Sequence, residues 1–400
     1  MCDGERGPQA RGVRAVRMSR LIIVGTLTFG PIGAAGASGQ EPAPVAVDQT
    51  LAAYASTTDS AHLPDGRIIH LVCMGKGSPT VILSAGAGGW GVTWKKVQPA
   101  VAKKTRACAW DRAGYGMSDL SPQPQTIDYT TGDLEAALKA SHIDGPYVAV
   151  GHSLGGLESL LLKDRQPRNV VGMVLVDPAV FIIGAKAPGP APTAGPAPSF
   201  VSAPAFGPGL EAGPALDLPP LPTPPIVALF RRCAAGLRAG TVKAGAPDPD
   251  GCLRGPTFPA DYPPELLAAL DKHPATQPPE ALARTFDFLA AAQSATASFG
   301  NFKIADNPNR NYGNMPLVVL TSDTLSMPPG APQPSAEQAR SALDPFGQVH
   351  AQMAALSRRG VHRVVEGSSH NIQQDKPQAV IDSIDEVVDE VRADMAISRN

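Results

Sequence analysis

The sequence has 400 residues, and its 34 Lys and Arg residues nearly balance 36 Asp and Glu residues, which gives a formal net charge of −2. This length is enough for one large α/β domain with an insertion, or for two domains. Because the body of the chain contains no block of Lys and Arg residues, the composition argues against nucleic acid as a partner.

The N-terminal segment has the features of a secretion signal. Four arginines between positions 11 and 20 precede an apolar run that starts at Leu21, and the small residues Ala35-Gly36-Ala37 fit a cleavage site. Glycines, threonines and a proline interrupt the run, which disfavours the alternative, a permanent membrane anchor. We therefore predict a signal peptide over residues 1–37, export to the periplasm or the medium, and no stable membrane span after cleavage.

Short apolar segments typical of buried strands alternate with helical patterns from about residue 67 onward. The predicted strands cover residues 67–73, 80–83, 106–110, 147–150, 170–176, 315–321 and 361–365. The helical patterns cover residues 128–140, 157–162, 342–356 and 377–393. Strands and helices that alternate with short connections predict a doubly wound, mostly parallel α/β sheet in a domain spanning residues 38–400.

One long segment interrupts this alternation. Residues 185–225 are rich in proline, alanine and glycine, a composition that excludes regular helix and central strand. Helical patterns follow at residues 226–237, 264–270 and 280–295. Because the sheet resumes afterwards, we interpret residues 178–311 as a lid that covers the sheet edge. The alternative is a linker with a small helical domain that has no catalytic role.

A serine lies at a sharp turn between a strand and a helix. The sequence Gly151-His152-Ser153-Leu154-Gly155 follows an apolar strand and leads into a leucine-rich helical pattern. In this context G-x-S-x-G predicts a nucleophile elbow, with Ser153 at a helix N-terminus where free N–H groups favour negative charge. A glycine-rich turn that happens to contain a serine is the alternative interpretation.

A serine nucleophile needs a base, and the base needs a carboxylate to orient it. His370 lies in a loop of small residues directly after the last predicted strand, at the end where a parallel sheet presents its site. Asp177 and Asp323 both end apolar strands, and each is a candidate acid or a simple strand-end cap. His152, next to the serine, is expected to point elsewhere.

Backbone N–H groups must meet the oxyanion that forms when a carbonyl is attacked. We expect one donor from Leu154, directly after the serine, and a second from Ala87 in the glycine-rich loop after residue 83, with Gly88 as the alternative. A mere tight turn is the other interpretation of that loop. No His, Cys and Asp cluster has the spacing of metal ligands, so we predict neither a metal nor a cofactor.

Four segments, in this order, resemble the α/β-hydrolase superfamily of serine hydrolases. They are residues 79–86, 111–118, 151–156 and 367–370. The resemblance covers about residues 60–180 and 312–395, and it implies an eight-stranded type of sheet and a Ser-His-Asp triad. The Leu-Val-Asp-Pro sequence at Asp177 resembles lipases and haloalkane dehalogenases with an acid at this place, which favours Asp177 over Asp323. Relatives with an aspartate nucleophile are excluded by Ser153, and Ala85-Gly86 stands where many relatives have His-Gly.

The resemblance implies an exported carboxylic-ester hydrolase that acts on a small-molecule ester through an acyl-enzyme. An acyltransferase or an amidase or peptidase with the same triad is the alternative. A non-catalytic binding module on this fold is the alternative from another class. The sequence leaves the substrate and the oligomeric state open.

Cysteine usage agrees with export. Cys2 precedes the predicted cleavage site, and an even number of four cysteines remains, which permits two bridges, with four free thiols as the alternative. The strand order of the superfamily makes the strands of Cys73 and Cys108 neighbours, so the resemblance implies a bridge between them. Cys233 and Cys252 share the insertion and flank a proline-glycine stretch that could fold back, and we predict the second bridge there.

Overall fold

The computed structural model describes most of the chain after residue 46. The described residues are 47–123, 125–179, 225–243, 246–250, 252–253, 262–268, 279–292, 310–324 and 335–398. The predicted signal peptide and almost all of the proline-rich stretch lie outside the described residues. Of the helices that are described, none is long and apolar enough to cross a membrane.

Nine strands form two sheets within the described residues. They are β1 Ala61–His62, β2 Ile68–Ile69, β3 Leu71–Met74, β4 Thr80–Ser84, β5 Ala107–Trp110, β6 Tyr147–His152, β7 Val170–Val176, β8 Leu317–Ser322 and β9 Gly360–Val365. The main sheet has the order β3-β5-β4-β6-β7-β8-β9. Only β3 runs antiparallel to its neighbour, and all other described pairs in this sheet are parallel. The doubly wound, mostly parallel fold predicted from the alternation is therefore confirmed.

The first predicted strand divides into two, so the described main sheet has seven strands rather than eight. β2 pairs with β1 in a separate two-stranded sheet, whereas β3 pairs with β5. The division falls at His70, whose N–H donates to Ser118 Oγ at 2.8 Å and whose ring contacts Asp111 at 2.8 Å. These partners follow His70 by 48 and 41 residues, so no local pattern could predict the interruption.

The helices connect the parallel strands and form the helical part of the insertion. They are α1 Gln98–Val101, α2 Ile127–Ala140, α3 Leu154–Arg165, α4 Pro225–Arg238, α5 Pro279–Ala292, α6 Ala336–Ala354, α7 Ile372–Asp375 and α8 Pro377–Ile397. Two 3₁₀ segments, Gln49–Ala55 and Gly91–Trp94, precede α1. Thr126 caps α2 by accepting from the Tyr129 N–H, as the capping preference of threonine predicts.

Successive residues of the central strands point to opposite faces of the sheet and build two hydrophobic clusters. Val148 and Val150 join the cluster beneath α1 and α8, while Ala149 between them joins the cluster beneath α2 and α3. Both faces are thus covered by helices, which explains why the strands are apolar throughout rather than alternating. The polar ends of β6, β7 and β9 are left at the carboxyl edge of the sheet.

The described helices of the insertion rest on loops at this carboxyl edge. Phe230 of α4 packs against Phe286 of α5 with ring centroids 6.0 Å apart. Tyr262 meets Trp90 edge-on at 6.4 Å, and a Cβ on Gly114 would approach Thr285 Oγ1 to 2.6 Å. The insertion therefore touches the loops that follow β4 and β5.

Both predicted disulfides are present. Cys73 and Cys108 lie directly opposite each other on β3 and β5, which the strand order implied by the resemblance makes neighbours. Cys233 of α4 is joined to Cys252, so this bridge closes a short loop inside the insertion. Two bridges are compatible with an oxidising compartment.

Candidate active site

Ser153 stands at the turn between β6 and α3 with a φ of +49°, a backbone conformation that L residues rarely adopt. Two glycines make the turn possible. A Cβ on Gly151 would collide with the carbonyl of Gly155, and a Cβ on Gly155 would collide with the carbonyl of Ser84. The turn is thus as tight as G-x-S-x-G requires, and it places the serine at the N-terminus of α3.

Asp177 ends β7 and holds His370. Its carboxylate accepts from the Ser322 N–H at 2.9 Å and the Ser322 hydroxyl at 3.0 Å, and Oδ2 lies 2.6 Å from His370 Nδ1. Burial opposes the charge of this carboxylate, but the hydrogen bond and charge of His370 and the Ser322 N–H together hold the pKa of Asp177 below its usual value. The group is therefore an ionised acceptor that fixes the hydrogen of His370 on Nδ1.

Asp323 has a different partner. Its Oδ1 accepts from the Ser368 N–H at 3.2 Å and from the Thr324 hydroxyl at 3.0 Å. It therefore supports the backbone of the loop that carries His370, and the structure brings Asp177, rather than Asp323, to the histidine ring.

Backbone hydrogen bonds join the serine turn to the acid turn. The Ser153 N–H donates to the Val176 carbonyl at 3.1 Å, and the Ala179 N–H donates to the Ser153 carbonyl at 3.0 Å. The first two residues of the insertion thus cross the serine turn. Serine and carboxylate are held by one connected piece of backbone.

His152 contributes to the site, contrary to the expectation that it points elsewhere. Its Nε2 lies 2.8 Å from the His370 carbonyl oxygen, and the two imidazole rings are 4.7 Å apart. Because a carbonyl only accepts, Nε2 carries a hydrogen. Burial first, and the neighbouring His370 second, lower the pKa of His152 to about 3. Its position as the last residue of β6 was the available signal.

A further histidine pair lies behind Asp177, and no local pattern in the sequence indicates it. His350 Nε2 donates to the Pro178 carbonyl at 2.8 Å, so His350 Nδ1 accepts from the Thr321 hydroxyl at 2.7 Å. Thr321 Oγ1 in turn accepts from His362 Nε2 at 2.8 Å. His350 Nδ1 is 3.9 Å from Asp177 Oδ1, and burial lowers the pKa of His350. A neutral histidine thus supports the turn that carries the carboxylate.

The loop after β4, which carries Gly86 and Ala87, lies against the serine. A Cβ on Gly86 would lie 3.3 Å from Ser153 Cβ and 2.7 Å from His152 Nδ1, so the loop backbone approaches closely only because this residue is glycine. Leu154 begins α3, and its N–H is one of the first-turn amides without a helical partner. In the described part of the chain, neither the Leu154 nor the Ala87 N–H donates to a protein acceptor.

The described residues include no group of three or more His, Cys, Asp or Glu side chains that could hold a metal ion. The carboxyl edge instead carries the Ser153 hydroxyl, the His370 imidazole and the Asp177 carboxylate, and the last two are in direct contact. Such a set can transfer a proton and stabilise an oxyanion.

Fold and site together correspond to a known family. A model described as "Alpha/beta hydrolase family" matches residues 81–383. Because this match covers more than half of the sequence, the chain belongs to the alpha/beta hydrolase family. Membership supports a hydrolase as the class of enzyme.

Individual relatives share only part of the chain or only its fold. Protein YqjL of Bacillus subtilis (strain 168) is 35% identical over 106 residues, which are 26% of this chain and 42% of YqjL. The chain thus spans less than half the length of this curated relative. Wild-type DBJA aligns with a TM-score of 0.51 and 14% identity over 84% of this chain and 98% of DBJA. Epoxide hydrolase CorEH aligns with a TM-score of 0.50 and 16% identity, over 81% of this chain and 95% of CorEH. Identities this low show the shared fold alone.

Proposed function

We propose that the protein is an exported serine hydrolase that cleaves carboxylic esters of small molecules through Ser153, His370 and Asp177. The observation that carries this proposal is the 2.6 Å contact between His370 Nδ1 and Asp177 Oδ2, made beside a strained serine at a helix N-terminus. Residues 1–37 would be the signal peptide, residues 38–400 the hydrolase domain, and residues 178–311 its lid.

The proton path follows from the tautomer that Asp177 imposes. With its hydrogen on Nδ1, His370 keeps a lone pair on Nε2 and takes the proton of the Ser153 hydroxyl as the oxygen attacks the ester carbonyl. The imidazolium that forms is stabilised by the ionised Asp177, and it then protonates the departing alcohol. An acyl-enzyme remains, and water, deprotonated by the same nitrogen, releases the acid.

The negative charge of the attacked carbonyl falls on oxygen. The N–H groups of Leu154 and Ala87 are the proposed donors, since both flank Ser153 and neither has another acceptor among the described residues. The helix dipole of α3 adds to the stabilisation at the Leu154 side. Donors fixed before the reaction lower its barrier because they need no reorganisation.

The contacts of the insertion support its role as a lid. Tyr262 meets Trp90 at the end of the loop that carries Ala87, and Thr285 covers Gly114. The bridge between Cys233 and Cys252 would keep this surface in one arrangement.

Substitution of the three residues tests the proposal. Ser153→Ala should abolish turnover of a p-nitrophenyl ester and labelling by a fluorophosphonate probe, while the circular dichroism spectrum is retained. Asp177→Asn should lose far more turnover than Asp323→Asn, because an amide at position 177 can hold the wrong tautomer of His370. Unchanged turnover in Ser153→Ala, or a larger loss in Asp323→Asn, would contradict the assignment. Amides and acyl acceptors in the same assay separate ester hydrolysis from the alternative reactions.

A further inference from the structure

A buried ion pair lies directly beneath the proposed oxyanion loop. Arg112, in the loop after β5, and Glu158, on α3, have side chains that are only 2% and 0% exposed. Arg112 Nε donates to Glu158 Oε1 at 2.6 Å, and Arg112 Nη2 donates to Oε2 at 2.7 Å. This is a two-pronged contact with the helix that starts at the serine turn.

The outer edge of the same guanidinium holds the loop after β4. Arg112 Nη1 donates to the Gly86 carbonyl at 3.0 Å, and Nη2 donates to the Ala85 carbonyl. The neighbouring residue secures the far end of the loop, since Asp111 Oδ1 accepts from the Gly91 N–H at 2.7 Å. Ala87 therefore lies between two anchors that come from consecutive residues.

Because the peptide bond is planar, the hydrogen bond to the Gly86 carbonyl also sets the direction of the Ala87 N–H. In a trans peptide the C=O of one residue and the N–H of the next point in opposite directions. When Arg112 draws the Gly86 carbonyl toward itself, the N–H of Ala87 points away from Arg112. The same glycine lies next to the serine turn, since a Cβ on Gly86 would be 3.3 Å from Ser153 Cβ. The guanidinium thus controls the direction of the proposed oxyanion donor.

A contribution to folding stability does not by itself explain the buried ion pair of Arg112 and Glu158. Burying two charges has a large desolvation cost, and apolar side chains of similar volume often stabilise a core as well or better. An apolar pair at these positions could not hold two backbone carbonyls in a fixed direction.

We propose that Arg112 and Glu158 are positioning residues that fix the oxyanion donor of Ala87 and so act on the transition state rather than on substrate binding. The inference rests on the proposed serine-hydrolase function. Arg112 binds the carbonyls of Ala85 and Gly86 in the loop after β4. Glu158 binds Arg112 to α3, the helix that begins with Leu154. Loss of either side chain would leave Ser153, His370 and Asp177 in place but free the Ala87 amide to rotate.

Arg112→Lys is the direct test, because lysine keeps the charge but cannot form the fork to Glu158 while holding both carbonyls. We expect kcat for an ester to fall roughly tenfold to hundredfold with KM changed less than about twofold, by analogy with loss of one oxyanion donor. The inhibition constant of a boronic acid, which forms a tetrahedral adduct on the serine, should rise by a similar factor. Glu158→Gln should show the same pattern with a smaller loss, and it decides the question if Arg112→Lys does not fold.

Arg310→Lys is the matched control. Arg310 is also a buried arginine bound to α3, and the hydrogen bonds described for its guanidinium go to Asp164, including 2.6 Å from Nη2. It should lose stability without losing kcat. Equal kcat values in Arg112→Lys, Glu158→Gln and wild type, or a loss confined to KM, would overturn the inference while leaving Ser153-dependent turnover intact. A wild-type protein without Ser153-dependent turnover or labelling would overturn the proposed function and the inference with it.

Discussion

The neutral state of His152 makes a quantitative prediction about stability. Burial lowers the pKa of His152 to about 3 in the folded protein, whereas an unfolded histidine titrates near 6.5. Below about pH 6.5 the unfolded chain therefore binds a proton at this position that the native state does not bind. The free energy of unfolding should fall as the pH decreases through this window and should be fully restored above it.

The size of the effect follows from the width of the window. A pH of 5 is about 1.5 units below the pKa of a histidine in the unfolded chain, and each unit corresponds to roughly 1.4 kcal/mol. The free energy of unfolding at pH 5 should therefore be about 2 kcal/mol lower than at pH 8. His152→Gln removes the titration but keeps an N–H that can donate to the His370 carbonyl. Because all other groups titrate in both proteins, their contributions cancel in the difference.

Urea unfolding of wild type and His152→Gln at pH 5, 6 and 8 measures this difference. The stability advantage of wild type over the variant should decrease by about 2 kcal/mol between pH 8 and pH 5. A pH-independent difference for His152→Gln would refute the reasoning, because it would mean that the native state accepts the proton as easily as the unfolded chain.

Three further predictions concern the framework of the site. Replacement of both Cys233 and Cys252 by alanine should lower the free energy of unfolding by about 3 kcal/mol, the loop-closure value for a separation of 19 residues, as measured by urea unfolding under non-reducing conditions. Thr321→Val, which leaves the buried His350 and the partly exposed His362 without their shared hydroxyl, should cost about 1–3 kcal/mol in the same assay, and an unchanged midpoint would contradict the assigned hydrogen bonds. Gly155→Ala should abolish soluble expression or ester turnover, since its Cβ would collide with the Ser84 carbonyl; normal activity would show that the serine turn is wider than described.

Much of the sheet and the serine turn could be predicted because their signals are local. An apolar run such as Val170–Val176 has one way to be buried, between two layers of helices, and G-x-S-x-G requires two absent Cβ atoms within five residues. The division of the first strand at His70 could not be predicted. It depends on a hydroxyl and a carboxylate that only the folded loop after β5 brings to the strand.

The residues of the site also differ in whether a local sequence pattern or only a long-range contact identifies them. Asp177 and Asp323 each follow an apolar strand, and only the resemblance of Leu-Val-Asp-Pro to other families favours Asp177; their different partners arise from the spacing of β7, β8 and the last loop. Arg112 and Glu158 are 46 residues apart, and nothing near either residue indicates a buried charge. Local patterns therefore predict which residues can react, whereas the residues that orient them become visible only in the fold.

Ser153 and Asp177 both have strained backbone conformations, and the neighbouring strands stabilise them. Among the described non-glycine residues, only His142, Ser153 and Asp177 have positive φ, and two of these three end the neighbouring strands β6 and β7. Such conformations cost about 1–3 kcal/mol each and persist only where the surroundings fix them. Here the Ser153 N–H is bound by β7, and the Asp177 carboxylate is bound by the end of β8. Each strained turn is thus held by the next strand of the sheet, so the register of three parallel strands sets the spacing of serine and acid before any substrate arrives. The insertion leaves the sheet directly after Asp177, through the Ala179 amide that binds the serine turn. A displacement of Ala179 would therefore act on both strained turns together.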